Sequence, residues 1–184
     1  MRVFSDKHDQ KVVDILLKGG IGILRTDTIY GVVCCADNKT AVNRLFAAKG
    51  RDDGKSPIVL IAGQDQMFDM PSPQEQIELD KVWPGKVSII INSVKAPSWI
   101  TRGNGSVAYR LPADDNLRKL LEKTGPLIAP SANPQGVIPA TTIDEAKDYF
   151  GETVDFYIDE GEVNDNTPSQ LLRLDPDGIV ERLR

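Results

Sequence analysis

Among 184 residues there is one histidine, His8, and only two cysteines, the neighbours Cys34 and Cys35. That scarcity removes whole classes of chemistry. Ser-His-Asp and Cys-His systems would all have to recruit His8, which lies in a polar N-terminal stretch without a visible partner. The His/Cys spacings of zinc sites are absent. Adjacent strand residues point to opposite faces, so Cys34 and Cys35 suit neither a shared metal nor a local disulfide and are expected to pack, reduced, in a core. No apolar run approaches the ~20 residues that span a bilayer, and "MRVFSDKHDQ" lacks the apolar core of a secretory leader. A cytoplasmic protein without a membrane segment is expected. Aromatic residues make up 6% of the chain, and Trp83 is expected to serve packing. The net charge of -5 argues against a surface built throughout for nucleic acid, while leaving a local basic groove open.

What is present is an alternation of helix and strand signals. "DQKVVDILLKGG" puts Val12, Val13, Leu16 and Leu17 on one helical stripe and stops at a glycine pair. "IGILR" and "YGVVCCA" follow as strands, and Asn38 caps a helix with Ala41, Val42, Leu45 and Phe46 on one face. Strands are expected at "PIVLIA", "KVSIIIN", "SVAYRL", "PLIA", "VDFYID", "SQLLRL" and "GIVERL", and helices around "PQEQIELDKVW", "ADDNLRKLLEKTG" and "TTIDEAKDYFG". "APSWITRGNG" reads as a loop. With no internal repeat or low-complexity linker, residues 1–184 are expected to form a single α/β domain on a mixed sheet.

Two phosphate-loop patterns fail. "AAKGRDDGKSP" ends like a Walker loop at Gly54-Lys55-Ser56, but Lys49 stands where the first glycine belongs, and the stretch follows a helix and precedes a strand. "GGIGIL" cannot supply G-x-G-x-x-G, because Arg25 takes the third glycine position. Polar clusters nevertheless gather at strand ends, where open α/β sheets bind ligands. They are Thr26-Asp27-Thr28 with Tyr30; Lys49, Arg51 and Lys55; Ser131 and Asn133 in "PSANPQG"; and Arg110 at the end of "SVAYR". Singly these are ordinary turn and helix-end residues. Together they make a set of cations, hydroxyls and amides suited to phosphate and carboxylate ligands, with catalysis by positioning and charge stabilisation.

The ordered set "TDTIYG", "KGR", "WPG", "SVAYRLP" and "PSANPQG" resembles the YrdC-like family of threonylcarbamoyl-adenylate synthases, from about residue 12 to the C-terminus. The resemblance implies a twisted mixed sheet with flanking helices around a concave ligand cavity. It implies synthesis of threonylcarbamoyl-AMP and pyrophosphate from L-threonine, bicarbonate or CO2, and ATP. The product would then pass to the proteins that transfer the threonylcarbamoyl group to adenosine 37 of tRNA. The family's Lys-x-Arg and Ser-x-Asn pairs are met by Lys49 and Arg51, taken as catalytic and nucleotide-binding, and by Ser131 and Asn133. Ser106, Thr141 and Arg182 fall where relatives hold the nucleotide. Thr26, Tyr30, Arg110 and Ser169 fall on the threonine side. No metal ligand is implied in the protein, and Mg²⁺ is expected to be held mainly by the nucleotide. Two departures stand out: Leu60, where several relatives carry histidine, and Gln170 in place of threonine. Two other readings stay open: a YrdC-like paralogue acting on another nucleotide or carbamoyl substrate, and a tRNA- or double-stranded-RNA- or ribosome-binding module using Arg44, Lys49, Arg51 and Lys55 as a basic patch.

Overall fold

The computed structural model describes residues 2–50 and 54–184. Its helices begin where side chains can satisfy free backbone N–H groups. Asp9 caps α1 (Gln10–Leu17), Asn38 caps α2 (Lys39–Lys49), and Ser72 with Glu75 forms a reciprocal capping box on α3 (Pro73–Asp80). Asp114 caps α5 (Asp115–Thr124) and Thr142 caps α6 (Ile143–Phe150). The stretch expected as a loop at 96–105 instead contains a single helical turn, α4 (Ser98–Thr101), entered through Pro97. Its Ile100 is fully buried, so a tertiary contact stabilises a turn too short to show helical periodicity.

The strands are β1 (Val3–Phe4), β2 (Gly22–Arg25), β3 (Tyr30–Cys35), β4 (Ile58–Leu60), β5 (Val87–Asn92), β6 (Ser106–Arg110), β7 (Leu127–Ile128), β8 (Phe156–Ile158), β9 (Gln170–Leu174) and β10 (Val180–Arg182). They form one mixed sheet in the order β1-β8-β2-β3-β7-β4-β6-β5-β9-β10. β1, which two residues of N-terminal sequence do not announce, adds parallel to β8 at the edge. Further parallel pairs (β2 with β8, β4 with β6, β5 with β9) occur among antiparallel ones, so the expected mixed α/β sheet is what forms.

Period-2 alternation divides the core between the two sheet faces. Ile23, Val32, Cys34, Val59, Tyr109 and Ile128 pack on one side with α2, α6 and the buried ends of α3 and α4. Leu24, Val33, Cys35, Leu60, Leu127 and Phe156 pack on the other, under α1 and α5. Cys34 and Cys35 thus enter opposite cores as free thiols, and burial raises both, Cys35 to about 11. Trp83 is buried and donates its indole N–H to the Val87 carbonyl at 2.7 Å. Leu60, where a histidine ligand would stand in several relatives, is a fully buried core residue.

Helices α1 and α5 cover only half of their face. Over β4, β6, β5 and β9 the same face stays open, and loops rather than helices wall the resulting cavity.

One expectation fails on the first helix. Leu16 is fully buried, but Leu17 is 57% exposed, because 100° of helical rotation carries it off the stripe. Leu16→Ala should cost about 2–5 kcal/mol in urea unfolding and Leu17→Ala less than about 0.5 kcal/mol. Equal losses would place both on the core face.

Candidate active site

The cavity has a volume of about 550 Å³, within the range of small-molecule sites. Its floor is a matter of side-chain size. Gly31, Ala108 and Ala129 lie on the open sheet face, while the alternating neighbours Val32, Val107, Tyr109 and Ile128 fill the opposite core. At Gly31 even a Cβ would come within 3.3 Å of the Pro130 carbonyl oxygen and 3.4 Å of the Thr26 methyl group. Small residues therefore leave the hollow that larger ones would fill.

Arg110 rises from this floor, 3% exposed, at the end of β6. Its guanidinium lies 3.0 Å from the Asp27 carboxylate, whose side chain is equally enclosed. Burial lowers the Arg110 pKa from its ordinary value; Asp27 opposes that shift and Arg184 adds to it. Burial likewise raises the Asp27 carboxyl, against the pull of Arg110. Beside the pair, Thr26 Oγ1 donates to the Ile29 carbonyl at 2.8 Å and lies 3.0 Å from Thr28 Oγ1. Both threonines line the cavity, as does Ser169, whose buried hydroxyl is 2.8 Å from that of Ser88 on β5.

A second group is built around Lys49, 4% exposed at the end of α2. Its ammonium donates to the carbonyls of Ser131 and, at 2.6 Å, Asn133. Its own carbonyl accepts from the Gln135 N–H at 2.9 Å. Ser131 Oγ donates to Asn133 Oδ1 at 2.5 Å, and the Asn133 amide donates to the carbonyls of Pro134 and Val137. A single bridge from Ser131 to Gly31 fastens the loop to β3. Lys49 is thus one hydrogen-bonded unit with Ser131 and Asn133, which lie 82 and 84 positions further along the sequence. Of the three only Ser131 lines the cavity. Gly50, with φ +60°, ends α2 in the left-handed region. Arg51, which follows it, lies outside the described residues.

The remaining expected residues divide. Ser106, on β6, lines the cavity. Tyr30 does not: it alternates with Gly31, is fully buried on the opposite face, and its hydroxyl donates to the Gly161 carbonyl at 2.8 Å. Thr141 stands at the start of α6, where its N–H and hydroxyl donate to Glu145 Oε2 at 2.7 and 3.0 Å. Those bonds hold the Glu145 carboxyl below its usual value. Arg182 pairs with Leu172 on the exposed β10, on the face away from Leu171 and Arg173. Gln170 is exposed and also stands outside the lining.

Lys55, Ser56, Asn104, Arg173 and Arg184 line the cavity as well. Asn104 donates to the Gly54 carbonyl at 2.8 Å and to Ser56 Oγ at 3.2 Å, and Ser56 Oγ to the Thr101 carbonyl at 2.9 Å. This clasp seats residues 54–56 on the α4–β6 turn. Arg173 was legible: once Ser169 is assigned to the site, period-2 alternation carries Leu171 and Arg173 to the same face. Arg184 lies beyond the β10 ladder and had no such signal.

The described lining contains four cationic residues (Lys55, Arg110, Arg173 and Arg184) and no aspartate or glutamate. Such a cavity attracts anions. Among the described residues no cluster of three His, Cys, Asp or Glu side chains could hold a metal ion. Among the described residues no helix is long and apolar enough to cross a membrane.

The family model labelled Sua5/YciO/YrdC and described as "Telomere recombination" matches residues 14–184. The chain is 32% identical over 145 residues to a threonylcarbamoyl-AMP synthase of Halorhodospira halophila, covering 76% of each protein. It is 28% identical over 166 residues to one of Pseudoalteromonas translucida, covering 86% of this chain and 89% of that protein. The crystal structure of P. abyssi Sua5 complexed with L-threonine superposes on all of this chain with a TM-score of 0.86 at 26% identity; the match spans 56% of that longer chain. The matching model, the synthase relatives and the shared fold together establish that the chain belongs to the Sua5/YciO/YrdC family.

Proposed function

We infer that this chain is an L-threonylcarbamoyladenylate synthase, with residues 1–184 acting as one catalytic domain. The observation that carries the reading is the cavity itself: a buried arginine at its floor, hydroxyls around it, and a cationic lining without a described carboxylate. Two relatives are threonylcarbamoyl-AMP synthases, and the P. abyssi Sua5 structure holds L-threonine.

The chemistry fits these groups. The threonine amine adds to the carbon of CO2, or of bicarbonate with loss of water, giving an N-carboxythreonine. The amine gives up a proton as this carbamate forms, and an oxygen of the carbamate, not of the threonine α-carboxylate, then forms a bond to the α-phosphorus of ATP as the bond to the leaving pyrophosphate breaks. Carbamate and triphosphate are both anionic, so their repulsion is a large part of the barrier. Arg110, held by Asp27, would receive the threonine carboxylate through its planar fork. Thr26 and Ser169 would bind the polar groups of threonine, with Tyr30 behind them bracing the 160–161 segment. Ser106 and Ser131 would meet the nucleotide, together with Arg51. Lys49 would hold the Ser131–Asn133 loop in position and lend its charge to the same wall. Thr141 and Arg182 would reach the nucleotide only from outside the cavity lining. A Mg²⁺ ion carried by the phosphates would screen their charge. The carbamate is labile in water, which suits a recessed site.

On this reading the protein works in the cytoplasm, and tRNA-modifying partners would take over the product. The RNA-binding alternative loses support, since Arg44 is tied to Asp155 at 3.2 Å on another part of the surface and Lys49 is buried.

With ATP, Mg²⁺, L-threonine and labelled bicarbonate, pyrophosphate should appear only when threonine and bicarbonate are both present. Label should enter a product with the mass of threonylcarbamoyl-AMP. Pyrophosphate release independent of threonine would reject the reading. Lys49→Ala should lower kcat about 10²-fold while the circular dichroism spectrum stays native. Ala108→Leu should fill the floor and lower kcat/KM by about 10²-fold without loss of melting temperature, checked by steady-state kinetics and thermal unfolding.

A further inference from the structure

We propose that Arg173, on the closing β9–β10 hairpin, binds the terminal phosphates of the nucleotide and the pyrophosphate they become. The assignment rests on the synthase reading and adds to it a phosphate contact outside the Lys-x-Arg and Ser-x-Asn pairs.

Register sets the direction of the side chain. Ile58 on β4 pairs with Ala108 on β6, Ala108 with Ile90 on β5, and Ile90 with Arg173 on β9. All four line the cavity, so Arg173 is the charged end of an otherwise apolar row. Its neighbours Leu172 and Leu174 pack into the opposite core and keep the strand from rotating. A guanidinium placed there by register, rather than by a loop, has a fixed origin and a solvent-exposed tip.

The other described cations in and beside the cavity have protein partners. Arg110 faces Asp27, Arg184 donates to the Ser169 carbonyl at 3.1 Å, and Lys49 is bound to two carbonyls. Lys55 is engaged too. Among the described residues Arg173 makes no ion pair or hydrogen bond, even with Glu181, its cross-strand partner on β10. Its fork is therefore available to a ligand. Arg184 adds positive charge on the same side, since its backbone N–H is bonded to the Leu171 carbonyl at 3.2 Å and its side chain lines the cavity.

Depth separates the two anions of the reaction. Arg110 is enclosed and fits the carboxylate of a small amino acid. Arg173 is exposed at the rim and fits the part of the nucleotide that stays hydrated and leaves. Bidentate arginine contacts are favoured for phosphate oxygens over the point charge of lysine.

The test compares AMP, ATP and inorganic pyrophosphate binding to the full chain by calorimetry with Mg²⁺, in the wild type, Arg173→Ala and Arg173→Lys, alongside steady-state kinetics. Arg173→Ala should weaken ATP and pyrophosphate about tenfold, with AMP affinity and the threonine KM within about twofold; Arg173→Lys should recover part of the loss. Unchanged ATP and pyrophosphate affinity would overturn the assignment, and so would an equal loss for AMP. A wild type that makes threonylcarbamoyl-AMP while Arg173→Ala binds normally would leave the synthase reading intact and remove this one. Arg173-dependent pyrophosphate binding in a wild type without threonine-dependent turnover would support the phosphate contact and reject the synthase.

Discussion

A guanidinium buried on a sheet face is the constraint to which the rest of the site answers. Taking Arg110 out of water is costly unless charge and hydrogen-bonding partners replace its hydration. Asp27 supplies the fixed partner, although its own burial works against its charge. Arg184 brings further positive charge, which works against that of Arg110. A ligand carboxylate entering the cavity completes the compensation, which makes affinity for an anion a consequence of how the fold places β6 against the loop after β2.

The cavity exists because coverage is unequal. Helices α1 and α5 seal one half of their sheet face with leucines and valines, and the other half is left to loops. Along that open half the inward positions carry the small residues Gly31, Ala108 and Ala129, the aliphatic Ile58, Ile90 and Leu171, and polar or charged side chains, while the outward positions carry valine, isoleucine and tyrosine that hold the sheet. Each of these strands thus does two jobs through its two faces. Stability comes from one alternation and binding from the other, which is why a change such as Ala108→Leu can disturb the ligand without disturbing the core.

Loop placement gives a second level of control. Lys49 fastens the 131–135 loop to the end of α2, and Asn104 and Ser56 seat the segment after residue 53 on the α4–β6 turn. These bonds bring residues from three separate stretches of chain to the cavity above Arg110. A lysine committed to carbonyl oxygens contributes positive potential and rigidity together, and a preorganised charge of this kind needs little rearrangement during reaction.

The chain's own pattern determined the element order, the helix caps at Asp9, Asn38, Asp114 and Thr142, the division of Cys34 and Cys35 between two cores, and the family motifs. Each is local: a cap needs its next three residues, and alternation needs only neighbours. Ser106, Arg110, Ser131, Ser169 and Thr26 could be gathered into one site from ordered motifs, and the fold does bring them to one cavity. Tertiary structure alone decided the rest. Tyr30 turned into the core because it alternates with Gly31, which faces the cavity, and Leu17 turned outward although its composition suited the stripe. The helical turn α4 and edge strand β1 form only because distant residues receive them. Whether Arg182 or Arg184 faces the cavity depends on how β10 and the residues after it pair with β9, and β9 is itself placed by β5, about 80 residues earlier, a pairing that short-range pattern does not encode.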